Sequence, residues 1–170
     1  MLMLTTSPAL LAAERATPDV ASAADERLEE LVAEIREDYP GVRHISLAEL
    51  KRDYAKALLV DVRDREEFEV SRLPGAVHAP EISDLDALRR QFPERPFVLY
   101  CTVGVRSAIA AQALNARAPE GAPSVVNFAG SIFAWANGGE PLVNDEGLTK
   151  QVHPYSAWWG MRYLEEPASE

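Results

Sequence analysis

The sequence contains one cysteine, Cys101, among its 170 residues. A single cysteine excludes an intramolecular disulfide framework and any zinc or iron–sulfur site that requires several thiolates. No apolar run reaches the roughly 18 residues of a membrane-spanning helix. Lysine and arginine total 17 against 27 acidic residues, which gives a formal charge of −10. Because nucleic-acid surfaces need clustered positive charge, we expect neither a nucleic-acid nor a membrane partner.

The acidic excess lies at the two ends of the chain. Residues 1–41 have nine acids and three arginines, and residues 140–170 have six acids and two bases, whereas the residues between them are balanced. These ends are either solvated flanking segments or an acidic surface for a basic partner. We therefore predict an N-terminal arm and acidic helix at 1–41, a domain at 42–142 and a C-terminal aromatic extension at 143–170.

The N-terminal stretch is mildly apolar over residues 1–13. A secretory signal places its basic residues before the apolar stretch, whereas the first base here, Arg15, follows it, which favours a loose arm. Thr17-Pro18 predicts a helix start and Pro40-Gly41 its end. One apolar stripe supports that helix, formed by Leu28, Leu31, Val32 and Ile35. The free cysteine and the lack of a convincing signal favour a cytoplasmic location.

The middle of the chain alternates short apolar runs with helix patterns. The short apolar runs predict strands at 44–45, 58–62, 76–78, 97–100 and 124–128. Capping and amphipathic patterns predict helices at 46–54, 64–70, 83–92, 107–115 and 131–136. This alternation predicts an α/β domain whose sheet is mainly parallel and flanked by helices.

Residues 152–163 hold two of the three tryptophans and two of the five tyrosines. Aromatic side chains have large apolar areas that are costly to leave in water. We expect this segment to fold back onto the domain, the alternative being that it covers a partner or a second copy.

The most informative segment for chemistry is residues 101–107, which follow the predicted strand at 97–100 and open a helix. Ligands of open α/β sheets bind beyond the carboxyl ends of the strands, and a helix N-terminus directs free N–H groups and partial positive charge at one point. Gly104 allows the loop a conformation closed to other residues, and Arg106 adds a permanent cation. Although a lone cysteine is usually a buried structural thiol, we expect Cys101 to ionise readily in this cradle and to act as a nucleophile.

The segment resembles the active-site loop of the rhodanese-like sulfurtransferases, in which small members show Cys-x-x-Gly-x-Arg-Ser. Two further stretches resemble the signatures of that family. They are Asp61-Val62-Arg63 with Glu67-Phe68 and Leu73-Pro74-Gly75-Ala76-Val77-His78, and Gly130 to Trp135 with Pro141 after it. The resemblance covers about residues 43–142 and implies the rhodanese-like fold, with helices on both faces of the sheet. Ser71-Arg72 stands where that family usually has Gly-His, so we expect an altered turn and an extra cation near the site.

The resemblance implies a double displacement through a Cys101 persulfide, without cofactor or metal. The donor is a small sulfur compound such as thiosulfate, and the acceptor is thiophilic, including a protein acceptor. Arg106 would orient the anionic donor, and the backbone N–H groups of Thr102, Val103, Gly104, Val105 and Arg106 would bind the transferred sulfur. The uncharged Thr102 and Val103 put thiosulfate as the natural donor in doubt. Ser107 is expected to support the site.

Some residues and functions remain open to alternative interpretations. Arg63 is expected to pair with Asp61 or Glu67, or to support the loop. His44, His78 and His153 have no metal-ligand spacing, and Trp135 is expected to fill the core. Four residues separate Cys101 from Arg106, one fewer than in the related phosphatases, which favours sulfur over phosphate or arsenate. A non-enzymatic interaction module, docking through the acidic helix and the aromatic extension, and a redox-sensing cysteine remain the other hypotheses.

Overall fold

The computed structural model describes residues 22–165, and the elements below are those of that range. The strands are β1 (His44–Ile45), β2 (Leu58–Asp61), β3 (Val77–His78), β4 (Phe97–Tyr100), β5 (Val125–Phe128), β6 (Leu142–Asn144) and β7 (Gly147–Thr149). The helices are α1 (Ala23–Asp38), α2 (Leu47–Asp53), α3 (Arg65–Val70), α4 (Ile82–Gln91), α5 (Val105–Asn115), α6 (Ser131–Asn137) and α7 (Ala157–Tyr163).

The central sheet has five strands in the order β1-β5-β4-β2-β3, and all its pairings are parallel. Each parallel pair requires a crossover connection, and helices supply these crossovers. The predicted α/β fold with a mainly parallel sheet is therefore confirmed. β4 lies at the centre, so the loop that follows it emerges at the middle of the sheet edge, which is where open α/β sheets bind their ligands.

The sheet separates two hydrophobic cores. Alternate strand residues point to opposite faces, so that in β4 Val98 and Tyr100 join one core while Phe97 and Leu99 join the other. Side chains of α1, α2, α6 and α7 contribute to the first core, and those of α4 and α5 to the second. The sheet is therefore covered by helices on both faces, as expected.

The N-terminal helix begins later than predicted. Thr17-Pro18, the predicted start, lies outside the described residues, as does the predicted arm at 1–13. α1 begins at Ala23 because Ser22, in an extended conformation, accepts a hydrogen bond from the backbone N–H of Asp25. Serine is a strong N-cap residue because its side chain satisfies an otherwise free N–H group.

Residues after 141 form structure that the sequence patterns did not predict. β6 and β7 make an antiparallel hairpin, and Val143 exchanges two backbone hydrogen bonds with Arg72. Beyond the hairpin, α7 returns to the domain as expected for the aromatic extension. Asn137 donates to the carbonyl of Tyr163, whose side chain is only 6% exposed. Trp158 of the same helix stays half exposed.

Across residues 22–165, no helix combines the length and apolar character needed to span a membrane.

Candidate active site

Cys101 follows β4 directly and is buried, with 1% of its surface exposed. The backbone N–H of Gly104 lies 3.2 Å from Sγ, and the hydroxyl of Ser107 donates to the same sulfur at 3.5 Å. Gly104 is the N-cap of α5, so the sulfur lies at the positive end of that helix. The sulfur therefore has two hydrogen-bond donors and a helix N-terminus beside it.

The backbone around Cys101 is fixed by the start of α6. Ser131 Oγ accepts from the N–H of Cys101 at 3.1 Å, and the N–H groups of Ile132 and Phe133 donate to the carbonyls of Cys101 and Thr102, each at 3.2 Å. Because these loop carbonyls are already held by α6, the loop has little freedom to turn its amides away from the sulfur. The positive φ of Ser131, 52°, places its hydroxyl under the loop.

Gly104 has a φ of +118°, a region that favours glycine. A Cβ at this position would lie 3.4 Å from Nδ2 of Asn127. That amide donates to the carbonyl of Gly104 at 3.1 Å and also contacts Nδ1 of His44 at 3.1 Å. The tight turn behind the sulfur therefore depends on glycine and on a buried polar chain from β5 and β1.

Arg106 lies in the first turn of α5 and is held by Glu67 of α3. Its two terminal nitrogens each donate to one carboxylate oxygen of Glu67 at 2.8 Å. Thr102 connects the pair, since its hydroxyl accepts from Arg106 and donates to Glu67, both at 2.9 Å. Asp64, at the start of α3, lies 3.5 Å from Arg106 and donates its backbone N–H to Glu67. The buried carboxylate is thereby fully hydrogen-bonded.

The electrostatics of this cluster keep both partners charged. Burial on its own would raise the pKa of Glu67, but the hydrogen bonds and charge of Arg106 and the hydroxyl of Thr102 outweigh it and lower the pKa. Burial would likewise lower the pKa of Arg106, yet Glu67 and the negative charges of Cys101 and Asp64 raise it.

Asp61 and Arg63 form a buried ion pair behind the loop, which decides between the two partners expected for Arg63. Nε and Nη2 of Arg63 donate to the Asp61 carboxylate at 2.8 and 2.6 Å, and both side chains are fully buried. Nη2 also donates to the carbonyl of Ser71.

Tyr100, the residue before Cys101, accepts from the N–H of Leu73 through its hydroxyl. Burial, together with the charge of Asp61, raises the pKa of Tyr100 well above its ordinary value.

The remaining loop residues have different surroundings. Val103 is buried in the core that includes α6, and Val105 is partly exposed at the start of α5. The pair Asp61–Arg63 supports the strand ends that carry the loop, and within residues 22–165 neither side chain forms a hydrogen bond or ion pair with Cys101. Thr102 contributes its hydroxyl to the Glu67–Arg106 cluster.

The extra cation expected near the site points away from it. Arg72 forms an ion pair with Asp145, and its guanidinium lies 4.6 Å from the ring centre of Phe68. The backbone pairing of Arg72 with Val143 directs its side chain toward the β6–β7 hairpin. Arg72 therefore anchors this hairpin through both its backbone and its side chain.

The histidines and Trp135 have structural contacts. Nε2 of His44 contacts the carbonyl of Tyr39, and Nε2 of His78 contacts that of Arg63. Trp135 is 4% exposed and donates to the carbonyl of Pro141, which confirms its place in the core. Between residues 22 and 165, no group of three histidine, cysteine or acidic side chains is arranged to hold a metal ion.

Sequence reasoning missed Glu67 as a component of the site. The sequence places Glu67 in a family signature and offers it as a partner for Arg63, and it lies three residues after Asp64 at the start of a helix. That spacing is typical of a capping box, in which the acid turns back toward the helix start. The signal was therefore present, but the pattern alone does not tell which cation the acid meets.

Comparison with known proteins identifies related chains. The rhodanese-like domain family matches residues 46–138. A sulfurtransferase of Allochromatium vinosum is 34% identical over 103 residues, which cover 60% of this chain and 92% of that protein. The probable adenylyltransferase/sulfurtransferase MoeZ of Mycobacterium tuberculosis is 38% identical over 88 residues, 51% of this chain. The chain covers only 22% of the length of MoeZ.

A solved structure agrees with the fold. A rhodanese-related protein of Thermoplasma volcanium superposes with a TM-score of 0.51 at 24% identity, covering 59% of this chain and 97% of that one. This likeness concerns the fold alone. The family match extends over more than half of the chain and includes Glu67, the Cys101 loop and the start of α6. The chain belongs to the rhodanese-like domain family.

Proposed function

We propose that this protein is a sulfurtransferase that carries sulfur as a persulfide on Cys101. The observation that carries the proposal is the pair of donors on the sulfur, the N–H of Gly104 at 3.2 Å and the hydroxyl of Ser107 at 3.5 Å. These donors and the N-terminus of α5 lie where they can interact with the negative charge of a thiolate, which is the nucleophilic form of cysteine. The sulfurtransferase names of the relatives support the same reaction class.

In the first step the Cys101 thiolate attacks the outer sulfur of the donor. A new S–S bond forms, and the bond from the outer sulfur to the rest of the donor breaks. The leaving group departs with that electron pair, as sulfite from thiosulfate or as a thiolate from a persulfide. A less basic leaving group departs more readily, so sulfite and thiolates of low pKa are the favoured leaving groups.

In the second step a thiophilic acceptor attacks the terminal sulfur of the persulfide. The acceptor gains the sulfur, and Cys101 leaves as a thiolate, so that the enzyme returns to its starting state. Both steps are nucleophilic displacements, and no external oxidant or reductant takes part. The donors that contact the Cys101 sulfur would stabilise the negative charge that it gains as the leaving group in this step. Since the carrier must stay reduced between cycles, we place the reaction in a reducing compartment such as the cytoplasm.

Intact-protein mass spectrometry tests the proposal. The protein is incubated with thiosulfate, with 3-mercaptopyruvate or with cysteine persulfide, and is then treated with cyanide. We expect a gain of one sulfur atom that cyanide removes and that the Cys101→Ser variant does not show. Folded protein that gains no sulfur from any of these donors would overturn the proposal.

A second candidate function is an interaction module without catalysis. The burial of Cys101 and the exposure of Trp158 and Met161, at 54% and 77%, favour it. A thiol that is slow to react with an alkylating reagent across pH would support this function, whereas rapid alkylation that Ser107→Ala slows would support sulfur transfer.

A further inference from the structure

Tyr155, in the C-terminal extension, contacts the candidate active site although it lies outside the family match at 46–138. Its ring centre is 5.0 Å from the guanidinium carbon of Arg106. This is the distance of a cation–π contact, in which an aromatic face attracts a cation. A residue 49 positions after Arg106 in sequence thus covers the cation that follows the thiol loop.

The backbone holds Tyr155 in an uncommon conformation. Its φ is 62°, a region that bulky residues rarely adopt. Its N–H donates to Nδ1 of His153 at 3.1 Å, and the next residue, Ser156, donates its N–H to the carbonyl of Pro154 and caps α7. Strain of this kind persists only where the surroundings impose it, and it is frequent at functional sites. The residue that adopts this uncommon conformation is also the one whose ring lies over Arg106.

Tyr155 lies against an exposed part of the thiol loop. Within the loop at 101–107, Val105 and Arg106 are partly exposed, and the other residues are buried. Tyr155 therefore lies on the side of the loop that solvent reaches. The ring of Tyr155 is itself 54% exposed, so it presents an apolar surface at that point.

The charges around Arg106 do not favour a compact anion. Both terminal nitrogens already donate to Glu67, one of them also to Thr102, and Asp64 lies 3.5 Å away. A small dianion such as thiosulfate would have to compete with two carboxylates for a cation whose face is covered by a ring. The carbon atoms of an organic persulfide, in contrast, gain apolar contact with that ring.

We propose that Tyr155 is a specificity-determining residue that favours organic persulfides over small inorganic anions as sulfur donors. This inference rests on the proposed function and adds the class of donor. With an organic persulfide, the Cys101 thiolate takes the outer sulfur, and the organic thiolate departs past the ring of Tyr155. Removal of the ring reduces apolar contact for the organic donor and uncovers the cation for thiosulfate, so both effects change the donor preference in the same direction.

The test compares the rates at which Cys101 gains sulfur from cysteine persulfide and from thiosulfate, followed by intact-protein mass spectrometry. In Tyr155→Ala we expect the ratio of the two rate constants to fall about fivefold or more, the size of one cation–π or apolar contact. Tyr155→Phe keeps the ring and should keep the ratio. Met161→Ala is the matched control because Met161 lies in the same extension and is 77% exposed.

The outcomes separate this inference from the proposed function. If the wild type gains sulfur and Tyr155→Ala leaves the ratio unchanged, the inference fails while the proposed function stands. An equal fall of the ratio in Met161→Ala would also overturn the inference, because loss of any exposed apolar side chain of the extension would then suffice. A wild type that gains no sulfur from either donor would overturn the proposed function and this inference with it.

Discussion

The carboxylate of Glu67 accepts hydrogen bonds from both terminal nitrogens of Arg106, each at 2.8 Å, and so joins α3 to the first turn of α5. An arginine at a helix N-terminus is disfavoured by the helix dipole, so it requires a nearby negative charge. Glu67 supplies this charge with a side chain that is only 3% exposed. The pair therefore holds the end of the thiol loop, with Thr102 as the link between its two partners.

Replacement of Glu67 by glutamine is expected to destabilise the fold and the loop together. The variant removes the negative charge and leaves Arg106 partly buried without its partner, which costs about 2 kcal/mol of unfolding free energy. Persulfide formation should slow as well, because the loop loses its anchor. Urea unfolding and mass spectrometry measure the two effects. Glu66→Gln, on the exposed face of the same helix, is the control and should change neither.

The same ion pair predicts how stability depends on pH. The pKa of Glu67 is lowered in the folded state from its ordinary value of 4.5. The stability it contributes is therefore fully present above about pH 4.5 and is lost as the pH falls through the lower, folded-state pKa. The difference in unfolding free energy between wild type and Glu67→Gln should be constant near neutral pH and shrink in acid. A difference that grew in acid would contradict this assignment.

Gly104→Ala tests whether the turn at Gly104 positions the N–H group that contacts the thiol. A side chain at φ +118° is strained and would approach Asn127, at a cost of about 1 to 3 kcal/mol. The Gly104 N–H should then move off the sulfur and slow its alkylation. Gly121→Ala is the control, since Gly121 also has a positive φ, 80°, but open space around it. We expect it to lower stability while the alkylation rate stays at the wild-type value.

Much of the fold could be predicted because its signals are local. The apolar run of β4 and its neighbours indicated buried parallel strands, and the loop after β4 was evident from Cys101, Gly104 and Arg106. The start of α1 depends on the capping by Ser22, whereas the sequence pattern indicates a start at Thr17-Pro18. Where chain segments meet across the fold, local patterns carry less information. The partner of Arg106 lies 39 residues before it, and the sequence contains several carboxylates that could equally well pair with this arginine.

Tyr155 could not be placed for the same reason. Aromatic content predicted that the extension folds back, but not which of its rings meets Arg106. That choice depends on the packing of α7 against α1 and α6, through contacts such as the hydrogen bond from Asn137 to the carbonyl of Tyr163. The β6–β7 hairpin is likewise fixed by its distant pairing with Arg72. Long-range contacts of this kind determine the surroundings of the thiol, whereas the thiol loop itself follows from local sequence.

The last prediction links the packing of α7 to donor preference. Tyr163 is 6% exposed and packs against Trp159 with ring centres 5.1 Å apart. Tyr163→Ala removes this contact and should lower the unfolding free energy by about 3 kcal/mol. Because Tyr155 lies in the segment that leads directly into α7, the variant should also reduce the preference for cysteine persulfide over thiosulfate.

Met161→Ala provides the matched control for that variant, since Met161 lies on the same helix and is 77% exposed. We expect it to change the unfolding free energy by less than about 0.5 kcal/mol and to leave the donor preference unchanged. If Tyr163→Ala lowers stability but keeps the wild-type preference, then Tyr155 is held by His153 and Pro154 without help from α7. If both properties fall together, the packing of the extension on the domain sets the position of the ring over Arg106.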